Sequence, residues 1–231
     1  MKTVAPSGLR PRLDTVAGHA PKGSRVADIG AGDGQLALRL AQDGASLVIA
    51  TEWQAGAYLR LVRRLGGLPG FDCRRGDGLS CIGVGEVEVA VVAGMGEHTI
   101  GRILSSGLER AKELRRLLLQ PMGPTAHLRR LLERLGLPLT GEDLAWEGGR
   151  FYQLLIVEPG CPGLPWDRER SPLGPWLSHR QDEGARAWRR ELRALWERRL
   201  ELTPADKRPP LARLLDQLGQ LDAPQEGSGS P

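Results

Sequence analysis

Val26-Ala-Asp-Ile-Gly-Ala-Gly-Asp-Gly34 is the stretch that decides the fold. Val26 to Gly30 is apolar enough for a short buried strand and runs straight into a glycine-rich turn. Gln35 to Asp43 then places Leu36, Ala37, Leu40 and Ala41 on one helical face, with Gly44 where a C-cap belongs. Strand, glycine turn and helix in that order open a βαβ unit. The residues beyond continue the alternation. Ser46 to Glu52 reads as a second buried strand, and Gly56 to Leu65 as a helix ended by Gly66-Gly67 and Pro69. Phe71 to Arg75 is a short third strand before the turn Gly76-Asp77-Gly78, and Val87 to Gly96 is the most strand-like run in the chain. Helices follow around His98 to Leu104, Leu108 to Leu114 and Thr125 to Leu135, and a last strand lies in Phe151 to Glu158. The pattern predicts an α/β fold with a mostly parallel sheet covered on both faces.

From Pro159 to Pro175 the pattern breaks into Gly, Pro and charge, as in a linker. Beyond it, Leu177 to Leu202 carries Trp188, Leu192, Leu195, Trp196 and Leu202 near heptad spacing, and a second helix has Leu211, Leu214, Leu215, Leu218 and Leu221 on one face. The expected organisation is a catalytic-type domain over residues 1–160, a C-terminal helical hairpin over 161–222 that resembles a coiled coil, and a disordered tail over 223–231. A hairpin whose helices satisfy each other predicts a monomer.

The 231 residues suffice for a sizeable core, with 40% hydrophobic and 26% charged residues, close to the globular average. No run approaches the length needed to span a bilayer, and the N-terminus lacks the continuous apolar stretch of a secretory signal. Cys73, Cys81 and Cys161 have neither paired spacing nor an even count, which points to a reducing, cytoplasmic setting. Histidines are scattered along the chain, so no metal site is expected. The net charge of +4 is carried almost wholly by Arg, with Lys only at positions 2, 22, 112 and 207. Arg suits phosphates, but a GC-rich genome would produce the same skew.

In an open parallel sheet, ligands bind outside the carboxyl ends of the strands, where the strand order reverses. The first glycine turn is therefore the place to look for chemistry. Counting from Gly30, the third glycine of a dinucleotide fingerprint would fall at position 35, which is Gln, so a nicotinamide cofactor is disfavoured. Asp28 stands just before Gly30 and Gly32 and suits an amino-acid-bearing ligand such as S-adenosylmethionine. Glu52 ends the second strand about 20 residues on, where a carboxylate takes ribose hydroxyls. Asp77 and Gly78 follow the third strand, where Asp77 can meet the adenine amino group, and Ala93, Gly94 and Met95 end the fourth. Either acidic residue beside a glycine could instead only brace its turn. Their joint order is what favours a methyltransferase layout.

With those residues in place, the chain resembles the bacterial tRNA (adenine-22-N1)-methyltransferase family from about Leu9 to the C-terminus. The likeness includes Arg12 to Gly30, the turn Gly76 to Leu79, Ala-Gly-Met-Gly at 93–96, Leu-Leu-Leu-Gln-Pro at 117–121, Gly149 to Glu158 and Ser171 to Leu177. It implies a Rossmann-like S-adenosylmethionine-dependent domain with a C-terminal helical coiled-coil domain, and methylation of an adenine N1 in the tRNA D-arm. The chain departs from the family pattern at Gly32, Asp33 and Gln35, where the family has Asp, His and Tyr. Glu97 also replaces a glycine, and Met122 an asparagine. Those departures keep other acceptors open: a different RNA position, a small molecule, or a binding-only role.

Adenine N1 already carries an in-plane lone pair, so alignment rather than strong base catalysis is required. A carboxylate near the ring would stabilise the developing cation, and Asp33 and Glu97 are the catalytic candidates. Asp33 could instead hold the cofactor, and Glu97 could be a helix N-terminal charge. Phe151 and Tyr152 begin a strand, where one should point into the core and the other could stack on a base, core packing being the favoured reading for both. Arg186, Arg189, Arg190 and Arg193 share a broad helical face that could follow an RNA backbone. Glu191, Glu197 and Glu201 also sit on that helix, and residues 161–231 hold 12 basic against 11 acidic side chains, so an ion-paired solvent face is the competing reading.

Overall fold

The computed structural model describes residues 9–163, 166 and 173–222. Seven strands form one sheet: β1 (Arg25–Ile29), β2 (Leu47–Glu52), β3 (Phe71–Arg75), β4 (Val89–Met95), β5 (Arg116–Pro121), β6 (Leu139–Glu147) and β7 (Arg150–Val157). Their order is β3-β2-β1-β4-β5-β7-β6, parallel from β3 through β5, with β7 antiparallel to both β5 and β6. This is the Rossmann-like α/β class that the sequence predicts. The chain leaves β1 toward β2 and β3, then returns to β4 on the other flank of β1. The order therefore reverses between β1 and β4, and the carboxyl ends there are where ligands bind in open sheets of this kind.

The helices are α1 (Arg12–Gly18), α2 (Gln35–Gln42), α3 (Ala55–Leu65), α4 (Glu97–Ser106), α5 (Leu108–Glu113) and α6 (Ala126–Leu135). They bury both faces of the sheet, which is why Val89 to Val92 in β4 are all buried and read as a continuous apolar run. One core gathers Val16, Leu36, Leu40, Leu61 and Leu65 with Val48 and Val91, and the other gathers Ile100, Leu104, Leu128 and Leu132 with Ile49 and Val92.

Three elements were not expected. Helix α1 begins in a polar segment after Pro11. Leu-Leu-Leu-Gln-Pro belongs to β5, a central strand, although the sequence shows only a helix running into it. Strand β6 was missed because Gly141, Glu142 and Asp143 interrupt its apolar residues. Glu142 nevertheless points inward, because Arg129 of α6 lies 2.5 Å from its carboxylate. Register slips by one residue at Leu139/Gly141, which hides the alternation further.

The described residues divide into two compact units, the larger over 9–163 and the smaller over 166 and 173–222. In the smaller, α7 (Glu183–Leu202) and α8 (Pro209–Asp222) pack on each other. Arg208 Nε donates to Thr203 O at the turn, and Arg193 lies within 4 Å of a Cβ built on Gly219, so the helices run antiparallel as a hairpin. Asp182 caps α7 through the N–H of Ala185 at 3.0 Å. The tail expected over 223–231 lies outside the described residues. Among the described residues, no helix is long and apolar enough to cross a membrane.

Candidate active site

The strand order places the predicted residues side by side along the carboxyl edge: Asp77 after β3, Glu52 at the end of β2, Asp28 to Gly34 after β1, and Ala93 to Met95 at the end of β4. The glycine turn is held from the β2 side. Gly30 N and Ala31 N both donate to Thr51 O, at 2.9 and 2.8 Å, and Gly32 N donates to Glu52 Oε2 at 3.1 Å. Glu52 Oε1 accepts from Gln54 N at 3.0 Å, so the carboxylate is fixed from both sides while each oxygen keeps a second lone pair. Gly30 and Gly32 adopt φ of +74° and +61°, a region that side chains enter at a cost. A Cβ on Gly32 would meet nothing within 4 Å, so this face of the turn is open.

Asp28 is only 2% exposed, and its Oδ2 has no hydrogen-bond partner. Burial pushes its carboxyl up to about 7; the N–H of Ala37 pulls the other way, and the nearby Glu52 charge adds to the rise. A buried acceptor with nothing to accept marks a place for a donor. Asp77 is exposed, and Gly78 begins the following 3-10 turn with φ of +58°.

The two catalytic candidates are engaged elsewhere in the protein. Asp33 accepts from Arg64 Nη1 at 2.9 Å and from Gln35 Nε2 at 3.2 Å. Arg64 belongs to α3, which packs over β2 and β3, on the opposite flank of β1 from β4. Glu97 Oε2 accepts from Leu128 N, in the first turn of α6, at 3.2 Å. The N-cap of that helix, Thr125, makes no side-chain cap; its hydroxyl instead donates to Gln153 and accepts from Arg129. Glu97 thus caps α6 across the gap from α4. Its neighbour His98 packs its ring on His127, with centroids 4.8 Å apart.

The aromatic pair that the sequence singles out lies at the same edge, because β6 runs parallel to β5 and its turn into β7 reaches the carboxyl ends. Phe151 packs edge-on against Trp146 with ring centres 4.5 Å apart. Tyr152 pairs with Ala145 on the opposite face and lies under Arg12, whose guanidinium carbon is 5.8 Å from the ring centre. Sequence reasoning missed Arg12 and gave Gln120 no role. A lone polar residue closing the apolar run Leu117 to Leu119 was the available signal for Gln120.

On α7 the expected row of four arginines is reduced. Arg189 is fully buried, with Nη1 donating to Arg180 O at 2.8 Å, and so does not face an RNA backbone. Arg186 and Arg190 are exposed and Arg193 is half-buried.

Residues 9–155 match the family model of the methyltransferase domain. The tRNA (adenine(22)-N(1))-methyltransferase of Bacillus subtilis is 34% identical over 163 residues, covering 69% of this chain and 68% of that protein. The crystal structure of the B. subtilis M1A22 tRNA methyltransferase TrmK superposes with a TM-score of 0.73 at 29% identity, covering 92% of this chain and 98% of that one. The Streptococcus pneumoniae protein Sp1610 in complex with S-adenosyl-L-methionine gives a TM-score of 0.80 at 27% identity, covering 91% and 97%.

Proposed function

This chain belongs to the tRNA (adenine-22-N1)-methyltransferase family, and from that premise we propose that it transfers a methyl group from S-adenosylmethionine to N1 of adenine 22 in the tRNA D-arm. The observation that carries the reading is the buried, unpartnered Asp28 Oδ2 at the head of a row of strand-end acids.

The residues fit the cofactor. Asp28 would take its ammonium group, and the open face at Gly32 would let it approach the backbone. Glu52 would accept from the ribose hydroxyls with its remaining lone pairs, and Asp77 beside Gly78 would accept from the adenine amino group. Ala93, Gly94 and Met95 would wall the methionine end. When bound, the cofactor supplies an electrophilic methyl group on a sulfonium.

The protein's task is then alignment. Adenine N1 presents its lone pair without prior deprotonation, so the site must hold an unpaired base in line with the transferable carbon. Asp33 and Glu97 are the carboxylates that would stabilise the developing cation, and each also braces its surroundings, Asp33 through Arg64 and Glu97 through Leu128 N. Tyr152, at the same edge, would support the base. Arg186, Arg190 and Arg193 are the α7 side chains that would follow the tRNA backbone.

The test is transfer of labelled methyl from S-adenosylmethionine to unmodified tRNA with adenine at position 22, beside the same tRNA with guanine there. Label should enter only the first. Equal labelling would discard the position, and no labelling with cofactor binding intact would discard the substrate.

A further inference from the structure

Arg12 joins parts of the site that no backbone connection links. Its Nη1 donates to Gln120 Oε1 at 3.0 Å, and the same oxygen accepts from Gly94 N at 3.2 Å. Gln120 Nε2 donates to Pro121 O at 2.6 Å, so the orientation of the amide is set by all three partners. Gln120 is 1% exposed, and no water needs to be invoked for its oxygen.

The shared acceptor matters because of where Gly94 lies. The β4–β5 register slips between Ala93 and Met95, leaving Gly94 outside the ladder with φ of +76°. Bulges of this kind re-aim the next side chain. Here that side chain is Met95, whose Cε lies 2.0 Å from the position a Cβ on Gly30 would take. Met95 therefore rests directly on the cofactor turn. A continuous path runs from Arg12 through Gln120 and the Gly94 bulge to Met95 and Gly30.

At its other side Arg12 is tied to the β6–β7 tip. Its N–H donates to Glu147 Oε2 at 3.0 Å, its Nε lies 3.9 Å from Glu147 Oε1, and its guanidinium lies over Tyr152. The preceding residues reinforce the tie, with Trp146 N donating to Arg10 O at 3.0 Å.

We propose that Arg12 is a positioning residue for methyl transfer: acting through Gln120, it holds the Gly94 bulge, and with it Met95 and the glycine turn, in register with the β6–β7 tip that faces the base. This rests on the methyltransferase reading above. A displacement of about 1 Å in such a site costs about a hundredfold in rate, which is the scale at stake.

Arg12→Ala, Gln120→Leu and the double variant should be compared for kcat, KM for tRNA, thermal stability and, by calorimetry, affinity for S-adenosylhomocysteine. Arg12→Ala should lower kcat by about ten- to a hundredfold with a much smaller change in KM for tRNA. The double variant should be no slower than Gln120→Leu alone, because both act on one path. Arg12→Lys, which keeps a cationic donor for the shared oxygen, should restore part of the activity. S-adenosylhomocysteine affinity should fall several-fold in both single variants, again without additivity. Multiplying effects, a rise in KM for tRNA at unchanged kcat, or a fall in stability alone would each overturn the proposal. If the wild-type protein binds S-adenosylhomocysteine but methylates no tRNA, the functional reading fails separately. The pattern of binding affinities then still decides the role of Arg12.

Discussion

Substituting Asp28 with Asn should make the empty protein more stable at alkaline pH while disabling it. Burial raises the Asp28 carboxyl from 3.8 to about 7. Three units or so of shift, at about 1.4 kcal/mol each, amount to about 4 kcal/mol. The sign follows from which state holds the proton. Well below 3.8 both states are protonated and nothing is lost. As pH rises past the unfolded value, the unfolded chain releases its proton while the native one keeps it, so native stability falls. The fall ends once pH exceeds the folded value of about 7, where both states are ionised and a charge sits buried with one oxygen unpartnered.

Asn at this position keeps an oxygen acceptor and removes the charge. Urea denaturation of both proteins at about pH 5 and about pH 8 isolates the effect, because every other titration is common to the two. The advantage of the variant should grow by about 2–3 kcal/mol between those values. Saturating S-adenosylhomocysteine should reverse the order at the higher pH, since only Asp28 can answer an ammonium group with a charge. Parallel pH profiles for the two proteins would refute the reasoning. They would mean that Asp28 ionises without penalty and that the orphaned oxygen does not mark a ligand site.

Further predictions concern the surroundings of the site. Glu97→Ala should cost about 1 kcal/mol by uncapping α6, as for other lost N-caps, whereas Glu97→Gln should cost little; thermal melts distinguish them. Removing Arg129 or Glu142 alone strands a buried charge and should cost about 3–5 kcal/mol, while replacing both with apolar residues of similar volume should cost far less; chemical denaturation of the three variants reads this directly. Gly32→Ala should lose about 1 kcal/mol of stability from its positive φ but lose S-adenosylhomocysteine binding, because the added methyl occupies the open face. Gly34→Ala drives a Cβ to 2.7 Å from Leu65 Cδ1 and should show the reverse weighting. Arg190→Ala should weaken tRNA binding and reduce the salt slope by about one unit without changing the melting temperature. Arg189→Ala should lower the melting temperature.

The fold was legible where its cause is local. Strand, glycine turn and helix at residues 26–43 are fixed by periodicity and by the φ that only glycine adopts cheaply, and the row of acids follows from a topological rule about strand ends. The partners of Asp33 and Glu97 were not legible. Each takes a partner 31 positions away, and nothing near either residue advertises Arg64 or the N–H of Leu128. The same distance effect hid β6, whose inward Glu142 looks like a breaker until Arg129 arrives from α6. Helix α1 was hidden because its polar residues are spent on remote groups: Arg12 on Gln120, and Asp14 on Arg39 at 3.3 Å.

The arginine clusters show most clearly what a linear reading overcounts. The doublets at 74–75, 115–116, 129–130 and 189–190 look like concentrated positive charge, yet each splits, whereas both members of 63–64 and of 198–199 are exposed. Arg64 pairs with Asp33, Arg74 with Asp72 and Glu86, Arg116 with Glu158, and Arg129 with Glu142, while Arg189 donates to Arg180 O. Their neighbours Arg63, Arg75, Arg115 and Arg190 are exposed, and Arg130 is half-buried. Geometry requires this. Adjacent residues point to opposite faces of a strand and lie about 100° apart on a helix, so a doublet at a boundary sends one member inward. The inward members also explain why they are Arg. Arg129 serves Glu142, Thr125 and Gln153 at once, and Arg116 serves Glu158 and His19 O, at distances from 2.5 to 2.9 Å. A rigid fork with five donors can satisfy several buried acceptors that a single ammonium would leave short. The Arg-over-Lys skew is therefore partly a requirement of the interior, and what remains as charge for a phosphate backbone is the outward half of each split doublet together with the exposed pair at 198–199.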